Sequence, residues 1–103
     1  MITIRLFCSA GMSTSLLVNK MKAAATAKGV EADIAAFPES TMEENSVGAD
    51  VVFLGPQVRF MLKKTQKLLA PKNIPVAVID MRDYGLMNGE AVLDNALKMI
   101  ENK

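Results

Sequence analysis

The sequence predicts an α/β fold in which four parallel strands form one sheet in the order 2-1-3-4, with helices on both faces. Strand-like and helix-like segments alternate from end to end, as they do when crossover helices join parallel strands. The segment 49–54 is a continuous apolar run bounded by Gly55-Pro56, which is typical of a central parallel strand. With 103 residues, half of them apolar, the chain is expected to form one domain over 1–103.

The first half of the chain supplies two strands and a helix. Residues 2–7 form an apolar first strand, and residues 14–28 have helical periodicity that ends at Gly29. Residues 30–37 alternate as a second strand does, and the polar segment 39–48 is expected to be a loop with at most one helical turn.

The second half repeats the alternation. Residues 49–54 form the third strand, and Pro56 suits the first turn of a helix that runs to Leu69. Residues 75–79 form the fourth strand, and 80–89 a loop. The last helix has a buried stripe of Val92, Leu93, Ala96, Leu97 and Ile100.

Composition narrows the classes of function. A net charge of +1 gives no reason to expect nucleic acid, and the short apolar runs predict no membrane insertion. The single cysteine and the absence of a leader-like N-terminus favour a reducing cytoplasm. The chain has no histidine, and no cluster of residues with zinc-ligand spacing, so we expect no metal and no cofactor.

Cys8 is the candidate nucleophile. It follows the first strand at the carboxyl edge of the sheet, where a 2-1-3-4 order places a ligand site. Small and hydroxyl residues then lead into the helix, so backbone N–H groups and the helix dipole favour an anion and a thiolate. We expect an exposed thiol and a phosphate-binding loop made of Ser9, Ala10, Gly11, Met12, Ser13, Thr14 and Ser15. The alternative is a half-buried structural cysteine followed by capping serines.

The loop also has the spacing of low-molecular-weight tyrosine phosphatases, which the predicted fold resembles. In that family an arginine follows the cysteine at the sixth position, where this chain has Thr14. Without an arginine to clamp the phosphoryl group, a phosphocysteine should hydrolyse slowly and can serve as a carrier. Asp80 or Asp83 is a candidate for the catalytic acid, but a turn-forming aspartate and a surface tyrosine at Tyr84 are the favoured explanation of the segment.

Four segments together resemble the enzyme IIB component of the lactose/cellobiose (diacetylchitobiose) branch of the bacterial sugar phosphotransferase system. The resemblance spans essentially the whole chain and rests on residues 6–17, 37–39, 49–57 and 83–85. It implies that Cys8 accepts a phosphoryl group from a phosphohistidine of a IIA protein. The group then passes to a disaccharide of the cellobiose, chitobiose or lactose type bound by the membrane component IIC.

A carrier meets both partners at one site, so the residues around the loop are candidates for partner binding. We expect this role for Met12, Pro56, Gln57 and Tyr84, with Arg59 and Lys63 as a basic fringe, and we expect a monomer.

Three other classes of function stay open. A small cysteine-dependent phosphatase or arsenate-reductase-like enzyme shares the loop but needs an arginine at position 14. An FMN protein needs aromatic residues beside the flavin, and these are scarce here. A receiver domain needs acidic residues after the first strand, where the chain has Phe7-Cys8-Ser9.

Overall fold

The computed structural model describes residues 1–9 and 12–102, with Met12 and Ser13 described by their backbone alone. Its strands are β1 (Ile2–Cys8), β2 (Ala32–Pro38), β3 (Val51–Leu54) and β4 (Val76–Val78). Its α-helices are α1 (Met12–Lys28), α2 (Met42–Asn45), α3 (Leu62–Leu69), α4 (Met81–Gly85) and α5 (Gly89–Glu101). Short 3-10 segments cover Glu39–Thr41, Pro56–Met61 and Ala70–Lys72.

The four strands form one parallel sheet in the order β2-β1-β3-β4, which confirms the predicted topology. Strand β1 pairs with β2 from Ile2 to Cys8, and with β3 from Ile4 to Phe7. The carboxyl end of β1 is therefore enclosed by a neighbouring strand on each side.

Side chains alternate between the two faces of the sheet and build two cores. Leu6 and Phe53 belong to the core beneath α1 and α5, whereas Phe7 and Leu54 belong to the core beneath α2 and α3. All four side chains are fully buried. The continuous apolar run predicted as a central strand is thus explained by burial on both faces.

Helix α1 ends as its sequence predicts. Gly29 takes a φ of +70°, and the N–H of Val30 donates to the carbonyl of Ala25 at 2.9 Å. This left-handed C-terminal cap satisfies a carbonyl group that the helix itself leaves unpaired.

Two local predictions were wrong. The helix predicted from Pro56 to Leu69 is divided, because Val58 has non-helical angles (φ −116°, ψ 25°) and α3 begins at Leu62. The predicted loop 80–89 contains α4, a single turn whose first N–H groups are capped by the Asp80 carboxylate. One turn is too short to show helical periodicity, so the cap alone could have revealed it.

Candidate active site

Cys8 lies at the carboxyl end of β1, beside the start of the segment that follows β3. The N–H of Gly55 donates to the carbonyl of Phe7 at 2.8 Å, which extends the sheet pairing up to Cys8. Cys8 is 2% exposed, so the prediction of an exposed thiol was wrong for this structure. Cys8 ends β1, pairs with Pro38 of β2, and packs closely against the Gly55 backbone.

Thr14 provides a polar contact to the sulfur atom. It lies in the first turn of α1, is fully buried, and its Oγ1 donates a hydrogen bond to Cys8 Sγ at 2.9 Å. The N-terminus of α1 adds the positive end of the helix dipole. An O–H donor and a dipole of this sign both stabilise an anion placed beside them.

Tyr84 and Gln57 extend this contact away from the sulfur. The hydroxyl of Tyr84, on α4, lies 3.2 Å from Thr14 Oγ1. Gln57 Nε2 donates to the same Tyr84 hydroxyl at 2.9 Å. Side chains from three separate elements therefore form one hydrogen-bonded series that ends at Cys8.

The structure describes only some of the other predicted loop residues in full. Ser9 and Ser15 are exposed, and Ser15 lies on α1. Ala10 and Gly11 lie outside the described residues, and the helix includes Met12 and Ser13 by their backbone. The phosphate-binding role of this set therefore stays a prediction.

The residues predicted to bind partners differ in their exposure to solvent. Pro56 is buried at the start of the 3-10 segment, so its ring offers no exposed surface there. Gln57 is exposed and Tyr84 half-buried, and both use polar atoms within the hydrogen-bonded series. Nothing in the sequence indicates these contacts, because Gln57 and Tyr84 are separated by 27 positions.

Asp80 acts as a helix cap. Its Oδ1 accepts hydrogen bonds from the N–H groups of Arg82 at 2.9 Å and Asp83 at 3.3 Å. This supports the turn-forming explanation of Asp80 over a catalytic acid. Tyr84 is more than a surface tyrosine, since its hydroxyl contacts Thr14.

Exposed apolar side chains follow the residues of the series, and the sequence analysis did not single them out. Leu16 is 55% exposed, Phe60 79% and Leu86 70%. Leu16 comes two residues after Thr14 in the chain, and Leu86 comes two residues after Tyr84. These side chains are candidates for a surface that contacts other proteins, which is marked by exposed apolar residues that lie together.

Arg5, the arginine nearest to Cys8 in the sequence, interacts with other residues. Arg5, on β1, pairs with Asp33 at 3.0 Å, and its guanidinium lies 5.9 Å from the centre of the Phe37 ring. The hydrogen bond from Arg5, and then its charge, lower the pKa of Asp33 below its ordinary value. The Arg5 side chain therefore interacts with two residues of β2.

Two kinds of feature are absent from residues 1–9 and 12–102. No three cysteine, aspartate or glutamate side chains gather as a metal ion requires. No helix in this part of the chain combines the length and apolarity that crossing a membrane demands.

Comparison with known proteins decides the family. Residues 3–95 match the family model described as the PTS system, lactose/cellobiose-specific IIB subunit. The chain belongs to this IIB family. The resemblance inferred from the sequence segments is thereby confirmed, and the IIB subunit is one component of a sugar phosphotransferase system.

Several relatives resemble this IIB chain over nearly its whole length. The oligo-beta-mannoside-specific EIIB component of Bacillus subtilis (strain 168) is 44% identical, covering 97% of each chain. Lactococcus lactis subsp. cremoris (strain MG1363) has a galactose-specific EIIB component, also 44% identical, covering 87% of this chain and 88% of its own. The cellobiose-specific EIIB component of Lactococcus lactis subsp. lactis (strain IL1403) gives the same three values.

Solved structures agree with the fold of this IIB subunit. The solution structure of a cellobiose-specific IIB component from Borrelia burgdorferi has a TM-score of 0.81 and 43% identity, covering 99% of this chain and 94% of that one. The lactose-specific IIB domain of Streptococcus pneumoniae has a TM-score of 0.82 at 16% identity, covering 95% and 96% of the two chains. The second structure shows the same fold with few shared residues.

Proposed function

We propose that this IIB subunit is a phosphocysteine carrier, and that Cys8 holds the phosphoryl group. The hydrogen bond from Thr14 Oγ1 to Cys8 Sγ at 2.9 Å is the observation that carries the proposal. It places a hydroxyl donor on the chain's single cysteine, at the sheet edge where parallel α/β folds bind ligands. No histidine is present to serve as an alternative phosphoryl acceptor.

The phosphoryl transfer occurs in two nucleophilic displacements at phosphorus. The Cys8 thiolate attacks the phosphorus of a phosphohistidine on a IIA protein, so an S–P bond forms and the N–P bond breaks. The imidazole nitrogen leaves with the electron pair. A hydroxyl of the disaccharide bound by IIC then attacks the phosphorus and loses its proton to solvent or a base. The S–P bond breaks, and the thiolate is regenerated.

The carrier works by positioning and electrostatics. Backbone N–H groups from Ser9 to Ser15, together with the hydroxyls of Ser13, Thr14 and Ser15, are proposed to bind the phosphoryl oxygens. Because Cys8 is 2% exposed in this state, we expect transfer to occur in a state that exposes the residue more fully. The expected location is the cytoplasm, where IIA and the inner face of IIC are accessible.

The partner surface is proposed to include the exposed apolar residues Leu16, Phe60 and Leu86, which follow the residues of the hydrogen-bonded series in the chain. The proposed partner surface also includes Met12, Gln57 and Tyr84, which the sequence predicts to bind partners. The buried residue Pro56 is left out of the contact surface.

The sugar is proposed to be a disaccharide of the cellobiose, chitobiose or lactose type. Three relatives with the same 44% identity are specific for an oligo-beta-mannoside, galactose and cellobiose. The same overall identity therefore accompanies three different sugars. This supports a carrier that handles the phosphoryl group while IIC contacts the sugar.

A phosphatase or arsenate-reductase-like activity is the alternative, because the loop spacing is shared. The residue at its arginine position is Thr14, and Asp80 caps a helix. Both observations disfavour rapid hydrolysis of a phosphocysteine. Turnover of an aryl phosphate by the purified chain would support this alternative.

Intact-protein mass spectrometry tests the carrier proposal. The chain is incubated with phosphoenolpyruvate, the general phosphorelay proteins and a IIA protein of the lactose/cellobiose type, and Cys8→Ser is run in parallel. We expect one phosphoryl group, acquired only with IIA present and absent from the variant. If active partners add no mass to the wild-type chain, the carrier proposal is wrong.

A further inference from the structure

We propose that Gln57 and Tyr84 are positioning residues that act on Cys8 through Thr14. This inference deepens the proposed function and rests on it for its biological purpose. The sequence also predicts both residues as candidates for partner binding. The structure joins Gln57, Tyr84 and Thr14 to the sulfur by three consecutive contacts of 2.9, 3.2 and 2.9 Å.

Counting protons gives this series one direction. The hydroxyl of Thr14 has one proton, and it donates that proton to Cys8 Sγ. Thr14 must therefore accept in its contact with Tyr84, so the Tyr84 hydroxyl donates its own single proton to Thr14. Gln57 donates from its amide to the Tyr84 oxygen. Every proton in the series therefore points toward the sulfur.

This direction has an electrostatic consequence. A hydroxyl that accepts one hydrogen bond becomes a better donor of the next, so a series aligned in one sense polarises itself. The last donor, Thr14, contacts the atom that must carry negative charge before it can attack phosphorus. Gln57 and Tyr84 thus favour the thiolate without touching it.

The fold holds both positioning residues in place. Tyr84 is on α4, whose first turn is capped by Asp80, and the Tyr84 N–H donates to the Asp80 carbonyl at 2.9 Å. Gln57 lies close over Gly55, where a Cβ atom would stand only 2.7 Å from Gln57 Oε1. The glycine leaves the space that the amide side chain occupies.

Alkylation of the thiol by iodoacetamide tests this role, because Cys8 is the only cysteine and no partner protein is needed. At neutral pH we expect Tyr84→Phe to slow alkylation by about threefold, since it removes one neutral hydrogen bond. Gln57→Met should slow it by about twofold, since it removes only the outermost donor. Gln66→Met is the matched control on the exposed side of α3 and should react at the wild-type rate.

Two readouts separate positioning from a structural effect. Above about pH 10, where an ordinary thiol is deprotonated, Tyr84→Phe should react at least as fast as wild type. In a Thr14→Val background, Tyr84→Phe should slow alkylation no further, because Tyr84 acts only through Thr14. Thr14→Ser keeps the hydroxyl and should retain most of the wild-type rate. Urea unfolding confirms that each variant is folded.

The inference is overturned if folded Tyr84→Phe and Gln57→Met alkylate at the wild-type rate at neutral pH. It is also overturned if they are slowed equally at neutral and high pH, which would indicate altered access, or if the Thr14 and Tyr84 effects add. These outcomes are independent of the carrier proposal, since the assay contains no phosphoryl donor. Failure of IIA to phosphorylate Cys8 would leave the alkylation result unchanged.

Discussion

Gln57 Oε1 lies 2.7 Å from the point at which a Cβ atom on Gly55 would stand. The same added atom would lie 3.1 Å from the Cβ of Cys8. Gly55 has a φ of −63°, so its backbone conformation suits any residue. The lack of a side chain at this position therefore serves the packing of Gln57 and Cys8.

Gly55→Ala tests that packing. We expect the added methyl group to displace the flexible Gln57 side chain from Tyr84, and so to slow alkylation of Cys8 at neutral pH about as much as Gln57→Met does. The stability change should stay within roughly 1 kcal/mol, because the nearest obstacle is the far end of a side chain. Alkylation kinetics and urea unfolding measure the two effects. An unchanged alkylation rate would mean that the Gly55 contact does not hold Gln57 in place.

Gly89→Ala is expected to destabilise the fold. A Cβ atom at this buried position would stand 2.4 Å from the Lys20 carbonyl carbon and 2.5 Å from the Met21 nitrogen. Both are backbone atoms of α1, so α5 must move away from α1 as a unit. We expect a loss of about 1–3 kcal/mol in the free energy of unfolding, measured in urea.

Gly85→Ala is the matched control for Gly89→Ala. An added Cβ atom at Gly85 meets nothing within 4 Å, and its φ is not in the left-handed region. This variant should be neutral, or more stable by less than about 1 kcal/mol. Equal stability of the two variants would contradict a close contact between α1 and α5.

Asp33→Asn should weaken the fold only where Asp33 is charged. The hydrogen bond from Arg5, and then its charge, lower the pKa of Asp33 in the folded state. The folded state thus favours the carboxylate. The ion pair stabilises the fold above the ordinary pKa of 3.8, and this contribution is lost as pH falls through the lowered pKa. The Asp33 side chain is 51% exposed, so the effect should be small.

Urea midpoints at about pH 7 and about pH 2.5 measure the Asp33 effect. The variant should have the lower midpoint at pH 7, and the difference from wild type should shrink at the acidic value. Glu31→Gln is the control, because this exposed carboxylate has no ion pair among the described residues. A difference that is constant across pH would assign the Asp33 contribution to packing.

The sequence by itself determined the sheet and the place of Cys8. The apolar run 49–54 and the alternation of segments depend on local periodicity, which is visible in the sequence itself. Short local features were harder to predict. The divided helix after Pro56 and the single turn of α4 depend on the angles of Val58 and on the cap by Asp80.

Only the tertiary structure decided what surrounds the sulfur. Tyr84 is 70 positions from Thr14 and 27 from Gln57, so their contacts arise when β1, β3 and β4 are aligned in one sheet. The burial of Cys8 has the same origin, because Cys8 pairs with Pro38 of β2 and lies beside the Gly55 backbone that follows β3. Periodicity reports which face a residue lies on, whereas hydrogen bonds between distant side chains depend on how the elements pack.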